Sequence, residues 1–230
     1  MEYNTIDYKK RVCRAMNYIS QNIEEELSLE DIAKVASFSM YHFHRIFKAV
    51  VGETVAGFTR RLRLELAANR LMSRSYDDIT SVAFDCGFSS SQNFAKAFRQ
   101  HFGMSPSEFR KSKIGNIGGK NQNALSLKAM YNPDDVFSNS QNKKRRIKMK
   151  SEVKDMQEHN VAYVRKLGPY GLETCSQGFR EIMQWAGPRN YVGPGNVLGI
   201  YWDNPEVTPG EKCRFDACVV VPKETKPGGD

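Results

Sequence analysis

A self-repeat of fifty residues constrains this chain more than any other feature. Leu29, Ile32, Ala33, Ala36, Ser37 and Phe38 return as Ile79, Val82, Ala83, Cys86, Gly87 and Phe88. One inserted residue then moves the offset to 51, and Phe43, Phe47, Gly52 and Phe58 align with Phe94, Phe98, Gly103 and Phe109. Agreement at so many apolar and small positions marks two copies of one supersecondary unit. Ser28 and Asp78 stand before the first helix of each copy, where a side-chain oxygen can accept from an orphan backbone N–H. Each copy reads as a two-turn helix, a tight turn near residues 36–39 or 86–90, and a longer helix. That is the pattern of a helix-turn-helix, placed at about 28–50 and 78–102. A solenoid of helical hairpins would need three or more copies, and two are present.

The longer helix of each copy has two faces. In the first, Phe43, Ile46, Phe47 and Val50 follow the i, i+3, i+4, i+7 spacing of an apolar stripe. Tyr41, His44, Arg45 and Lys48 lie opposite, and no acidic residue interrupts them. Tyr, His and Arg can bond base edges, and Lys suits phosphate. In the second copy Phe94, Ala97, Phe98 and His101 are expected inward, with His101 as a core histidine. Gln92, Ala95, Lys96 and Arg99 are expected outward, flanked by Ser91 and Asn93. Gln and Asn match the donor and acceptor pair of adenine, and Lys suits guanine or phosphate.

Between the copies, 55–73 reads as a helix of about 28 Å at 1.5 Å per residue. Successive major-groove segments on one face of a duplex lie about 34 Å apart, so such a helix can hold two reading helices one turn apart. It carries Arg60, Arg61, Arg63 and Arg70, followed by Arg74, against one Glu65, and some of these arginines are expected on phosphates. The acidic run Glu24–Glu26, with Glu30 and Asp31, is expected to face away from a polyanion. His42 and His44 cannot share a metal ion, because side chains two apart on a helix diverge.

Composition divides the rest. The net charge of +8 splits into +3 for 1–112, +7 for 113–150 and −2 for 151–230. The Gly-, Asn- and Ser-rich stretch 113–144 reads as a flexible basic linker. Alternation typical of strands follows it. No apolar run approaches the ~18–20 residues of a membrane helix. The polar, charged Met1–Lys10 is no secretory leader, so a cytoplasmic protein without membrane contact is expected. Cys13, Cys86, Cys175, Cys213 and Cys218 show no zinc-ligand spacing and are expected as reduced thiols. No nucleophile or metal constellation is visible, so neither enzyme activity nor a cofactor is expected.

Several stretches carry a resemblance. They are Leu29-Glu-Asp-Ile-Ala-Lys-Val-Ala, Tyr41-His-Phe-His-Arg-Ile-Phe-Lys, Arg63-Leu-Glu-Leu-Ala, Val82-Ala-Phe-Asp-Cys-Gly-Phe and the run from Phe94 to Arg110. Through them, residues 8–112 resemble the AraC/XylS family of bacterial transcription regulators. The resemblance puts base-reading positions on Tyr41, His44 and Arg45, and on Ser91, Gln92, Asn93, Ala95 and Lys96. It implies double-stranded DNA and RNA polymerase as partners and activation as the outcome.

From about Arg146 the chain resembles the GyrI-like effector-binding domain, through Val161-Ala-Tyr-Val-Arg-Lys-Leu-Gly-Pro-Tyr-Gly, Leu198-Gly-Ile-Tyr-Trp-Asp-Asn-Pro and Cys213-Arg-Phe-Asp-Ala-Cys-Val-Val-Val. Strands are expected near 147–155, 160–167, 197–202 and 213–221, with a helix near 172–186 whose apolar stripe is Phe179, Ile182 and Trp185. The family fold implies two such strand-helix-strand-strand units, and this sequence carries one. The expected architecture is therefore an α+β multidomain chain: an all-α double helix-turn-helix domain at 5–112, the linker at 113–144, and a GyrI-like half domain at 145–230. Tyr163, Tyr170, Trp185, Tyr201 and Trp202 are the candidates to line an aromatic pocket for a small lipophilic or cationic effector. The competing reading is a small-molecule-binding module whose DNA binding is vestigial.

Overall fold

The computed structural model describes residues 2–73, 77–115 and 157–225. Arg74, nearly all of the basic linker and the strand expected near 147–155 lie outside them. Two compact units emerge: the N-terminal helices together with Trp202–Cys213, and the sheet unit that ends at Tyr201 and resumes at Arg214.

Among the described residues seven α-helices build the first unit: α1 (Glu2–Gln21), α2 (Leu29–Val35), α3 (Met40–Val51), α4 (Val55–Ser73), α5 (Ile79–Asp85), α6 (Ser91–Phe102) and α7 (Pro106–Gly115). Their starts have identifiable causes. The Ser28 hydroxyl accepts from the Asp31 N–H at 3.0 Å. The Asp78 carboxylate accepts from Thr80 and Ser81 at 3.0 and 3.2 Å. Before α7, Ser105 and Glu108 form a reciprocal box: the Glu108 carboxylate accepts from the Ser105 N–H at 2.8 Å and the Ser105 hydroxyl from the Glu108 N–H at 3.3 Å.

Packing forms two cores, each drawing on its own half of α4. The first gathers Val12, Met16 and Ile19 of α1, Ile32 of α2, and Phe43, Ile46 and Phe47 of α3 onto Val55, Phe58 and Leu62. The second gathers Val82, Phe94, Phe98 and Phe109 onto Leu64, Ala67, Ala68 and Leu71. Phenylalanine rings step through both, Phe43–Phe47–Phe58 in one and Phe94–Phe98–Phe109 in the other, with centroids 5.3–5.5 Å apart. Each such ring stabilises the fold by roughly 1.5–3 kcal/mol of burial, with about 0.5–1.5 kcal/mol more from edge-to-face contact.

His101 departs from its expected inward place and is exposed. Phe102 takes the inward position of the last turn of α6, 4.5 Å from Phe98 and 5.2 Å from Phe109. The imidazole lies edge-on to Phe102, and partial desolvation followed by the nearby Arg61 charge lowers its pKa.

The second unit is a three-stranded antiparallel sheet in the order β1 (Val161–Leu167), β3 (Arg214–Val220), β2 (Val197–Tyr201), with α8 (Leu172–Ala186) on one face. Val161 pairs with Val220 and Leu167 with Arg214; Val197 pairs with Val219 and Tyr201 with Phe215. Ala162, Val164, Phe215, Ala217 and Val219 meet Phe179 and Ile182 of the helix. The alternate residues Arg165 and Asp216 form a buried two-pronged ion pair, at 2.7 and 2.6 Å. Two parallel N–H···O bonds of this kind are among the stronger polar contacts a protein makes.

Candidate nucleic-acid interface

The apolar stripe of α3 turns inward, and that rotation exposes the opposite side. Tyr41 is 76% exposed, and His44, Arg45 and Lys48 lie open on the same helix. Arg45 stands over the Tyr41 ring, 5.9 Å from its centre, within the range of a cation–π contact. On α6, Gln92, Asn93, Lys96 and Arg99 are exposed and Ser91 is half-buried. Ser90 caps this helix, its hydroxyl accepting from the Asn93 N–H at 3.2 Å.

The two helices share one concave feature. A cleft of about 1210 Å³ is bordered by His44 of α3, Thr59 and Arg60 of α4, and Asn93, Lys96 and Gln100 of α6. Both α3 and α6 thus open onto the same side of the helical unit. Thr59, Gln100 and the 52%-exposed Phe84 also belong to this surface, and the sequence reading did not select them. A signal existed for Gln100, which follows Asn93 and Lys96 at i+7 and i+4.

Most of the α4 arginines are committed inside the protein. Arg61 is buried, bonded to Glu53 at 2.6 Å and to Glu65 at 3.1 Å. Burial works against its charge, but hydrogen bonds and charge from Glu53 and Glu65 outweigh that and hold its pKa above the ordinary value. Arg63 donates to the carbonyls of Ile23 and Glu25 at 2.9 and 2.6 Å. Arg70 pairs with Glu24 and, at 3.6 Å, with Asp85. Arg60 is exposed and borders the cleft. The expectation that some of these arginines lie on phosphates falls, among the described residues, to Arg60, because Arg61, Arg63 and Arg70 face carboxylates or carbonyls. Glu24–Glu26 likewise border the cleft instead of lying on the far side. The α4 arginines hold that loop there. Glu30 and Asp31 pair with Lys34.

His42 packs edge-to-face with Tyr8 of α1 at 6.0 Å and stands 5.6 Å from Phe38. Among the described residues no group of three or more His, Cys, Asp or Glu side chains could hold a metal ion. Burial raises the thiols of Cys86 and Cys213 to about 11 and that of Cys218 to about 12, so they stay protonated. Within those residues no helix is long and apolar enough to cross a membrane.

The five aromatic candidates of the C-terminal region have different neighbours. Tyr170 and Tyr201 meet edge-to-face at 4.9 Å, Tyr201 lies 5.0 Å from Phe215, and the Tyr170 hydroxyl donates to the Arg214 carbonyl at 3.0 Å. Trp185 packs on Tyr191 at 5.7 Å and beneath the Arg189 guanidinium at 4.8 Å. Tyr163 lies under the Arg165 guanidinium at 5.5 Å, on the sheet face opposite α8. Trp202 is 43% exposed. Tyr170 and Tyr201 are brought together; Tyr163 and Trp185 have other partners.

Comparison with known proteins agrees with both regions. Residues 32–112 match the helix-turn-helix domain family, and 149–230 match the GyrI-like small molecule binding domain family. The uncharacterized HTH-type transcriptional regulator YbfP of Bacillus subtilis is 38% identical over 45% of this chain and 35% of its own length. The HTH-type transcriptional activator AarP of Providencia stuartii is 35% identical over 43% of this chain and 72% of its own. The chain thus spans about a third of the first of these relatives. An AraC-type transcriptional regulator structure from Chromobacterium violaceum is 31% identical, covering 46% of this chain and 93% of that one, with a TM-score of 0.44.

Proposed function

Because the chain belongs to the AraC/XylS family of transcription regulators, we propose that it binds double-stranded DNA sequence-specifically and activates transcription by recruiting RNA polymerase. The observation that carries this reading is the shared cleft, with His44 on one wall and Asn93 and Lys96 on the other. Tyr41, His44, Arg45 and Lys48 read one major-groove segment. Ser91, Gln92, Asn93, Lys96 and Arg99 read the next. Between them Arg60, exposed at the border of the cleft, meets a phosphate. Recruitment of polymerase rests on the family alone.

Gel-shift titration on duplexes selected from a random library tests the reading. Arg45→Ala and Gln92→Ala each weaken binding by about 1–3 kcal/mol and relax the sequence preference in opposite halves of the site. A wild-type affinity that does not change with salt would end the DNA reading, since neutralising phosphates releases counterions. That outcome would leave the small-molecule module as the function.

For the GyrI-like unit we propose a lipophilic or cationic effector held against Tyr170 and Tyr201, where two rings meet edge-to-face and one is half exposed. A thermal-shift series with aromatic and quaternary-ammonium compounds is expected to raise the melting temperature of wild type and not of Tyr201→Ala. Equal shifts in both proteins would remove Tyr201 from the site.

A further inference from the structure

The two apolar cores meet no common set of residues; each uses its own half of α4. Polar contacts bridge what the cores do not. Arg63 reaches the α1–α2 loop of the first half through the carbonyls of Ile23 and Glu25, at 2.9 and 2.6 Å. The same guanidinium lies flat against Gly87, in the turn of the second half. A methyl group built on Gly87 would stand 2.8 Å from both the Arg63 Cζ and Nε atoms, too close for any real contact. Seven residues along α4, on the same side, Arg70 repeats the arrangement: Glu24 of the first half on one hand, Asp85 of the second, at 3.6 Å, on the other.

We propose that Arg63, Arg70 and Gly87 are positioning residues for DNA recognition. They form a two-arginine brace that fixes α3 against α6 and so sets the one spacing of half-sites the protein accepts. The inference rests on the DNA-binding reading above and deepens it. The physical need is plain. One added base pair moves a half-site by about 3.4 Å along the axis and turns it by roughly 35°. A hinge at α4 would tolerate that change; a braced pair would not. Gly87 suits the place twice, since its φ of +77° favours glycine and a Cβ there would push the Arg63 guanidinium out of position.

The test uses the full chain and duplexes selected with wild type, remade with one base pair added or removed between the half-sites. Wild type is expected to lose about tenfold or more in affinity per altered base pair, comparable to a mismatch. The double variant Arg63→Met, Arg70→Met is expected to bind the selected duplex somewhat more weakly and to flatten that penalty to about threefold or less. A merely structural loss would weaken binding by the same factor at every spacing and would overturn the proposal. So would a spacing profile as steep as that of wild type. Arg70→Lys, which keeps the charge, is expected to restore most of the discrimination.

A second readout needs no DNA. Probes attached at exposed Ala49 on α3 and Gln100 on α6 report the distance between the helices in the free protein. That distribution is expected to broaden in the double variant and in Gly87→Ala, with the far-UV circular dichroism unchanged. An unchanged distribution overturns the brace even where DNA binding persists. Failure of wild type to bind DNA at all, with the distribution still broadened in the variants, would count against the DNA-binding reading instead.

Discussion

In the first motif the turn residue Ser37 holds a φ of +55°; in the second Gly87 holds +77° at the same place. An arginine meets each turn. Arg11, from α1 of the same half, donates to the Ser37 carbonyl at 2.9 Å. Arg63 comes instead from the connecting helix and also holds the loop of the other half. The frames are otherwise duplicates: capped first helices, a ladder of phenylalanines, and longer helices ended by Gly52 and Gly103 in the left-handed region. The difference teaches that the duplicated frames are equivalent in their helices and cores, while the arginine at the second turn alone also reaches into the other half.

The comparison can be broken hardest at the ladder. Phe47 and Phe98 are both fully buried, so Phe47→Ala and Phe98→Ala should each cost about 3–5 kcal/mol of stability. Denaturant unfolding checks this, and a large inequality would show that one core carries the other.

A smaller effect sharpens the turns. Ser37→Gly relieves a left-handed backbone that a side chain resists, and should stabilise by about 1 kcal/mol. Gly87→Ser should destabilise by more than that gain, because it also displaces Arg63. Thermal melts of the two variants should move in opposite directions.

The smallest effect separates the helices that follow the motifs. The Ser105 hydroxyl and then its backbone N–H hold the Glu108 carboxyl below the ordinary carboxylate range. The corresponding position in the first turn of α4 is Gly57, whose N–H donates to the Thr54 hydroxyl. A depressed carboxyl adds stability above its unfolded pKa and loses it as pH falls through the folded one. The stability difference between wild type and Glu108→Gln should therefore be present near neutrality and vanish in acid. Equal differences at both pH values would mean the ionised carboxylate is not what caps α7.

The frame was legible because it rests on local periodicity and on caps. The limits of α4 and α8 follow from runs of apolar spacing, as do the exposed sides of α3 and α6. What the sequence hid was the choice of partner. Arg61, Arg63 and Arg70 carry the charge that a phosphate contact needs, yet their partners are the half-buried Glu53, the buried Glu65, and a loop some forty residues upstream. Charge type is written in the residue; the group it meets depends on how distant segments fold back. His101 was misplaced for a related reason. Phe98 and Phe102 fill the inward positions of the last turn, and competition between a ring and an imidazole for one slot is settled by burial.

The division of α4 has one more consequence. Leu62 closes the first core and Leu64 opens the second, with no apolar layer spanning both. Such a rod is clamped at each end by a different cooperative block, so what couples the opening of one block to the other is the polar contact of Arg63 and Arg70 and not apolar packing.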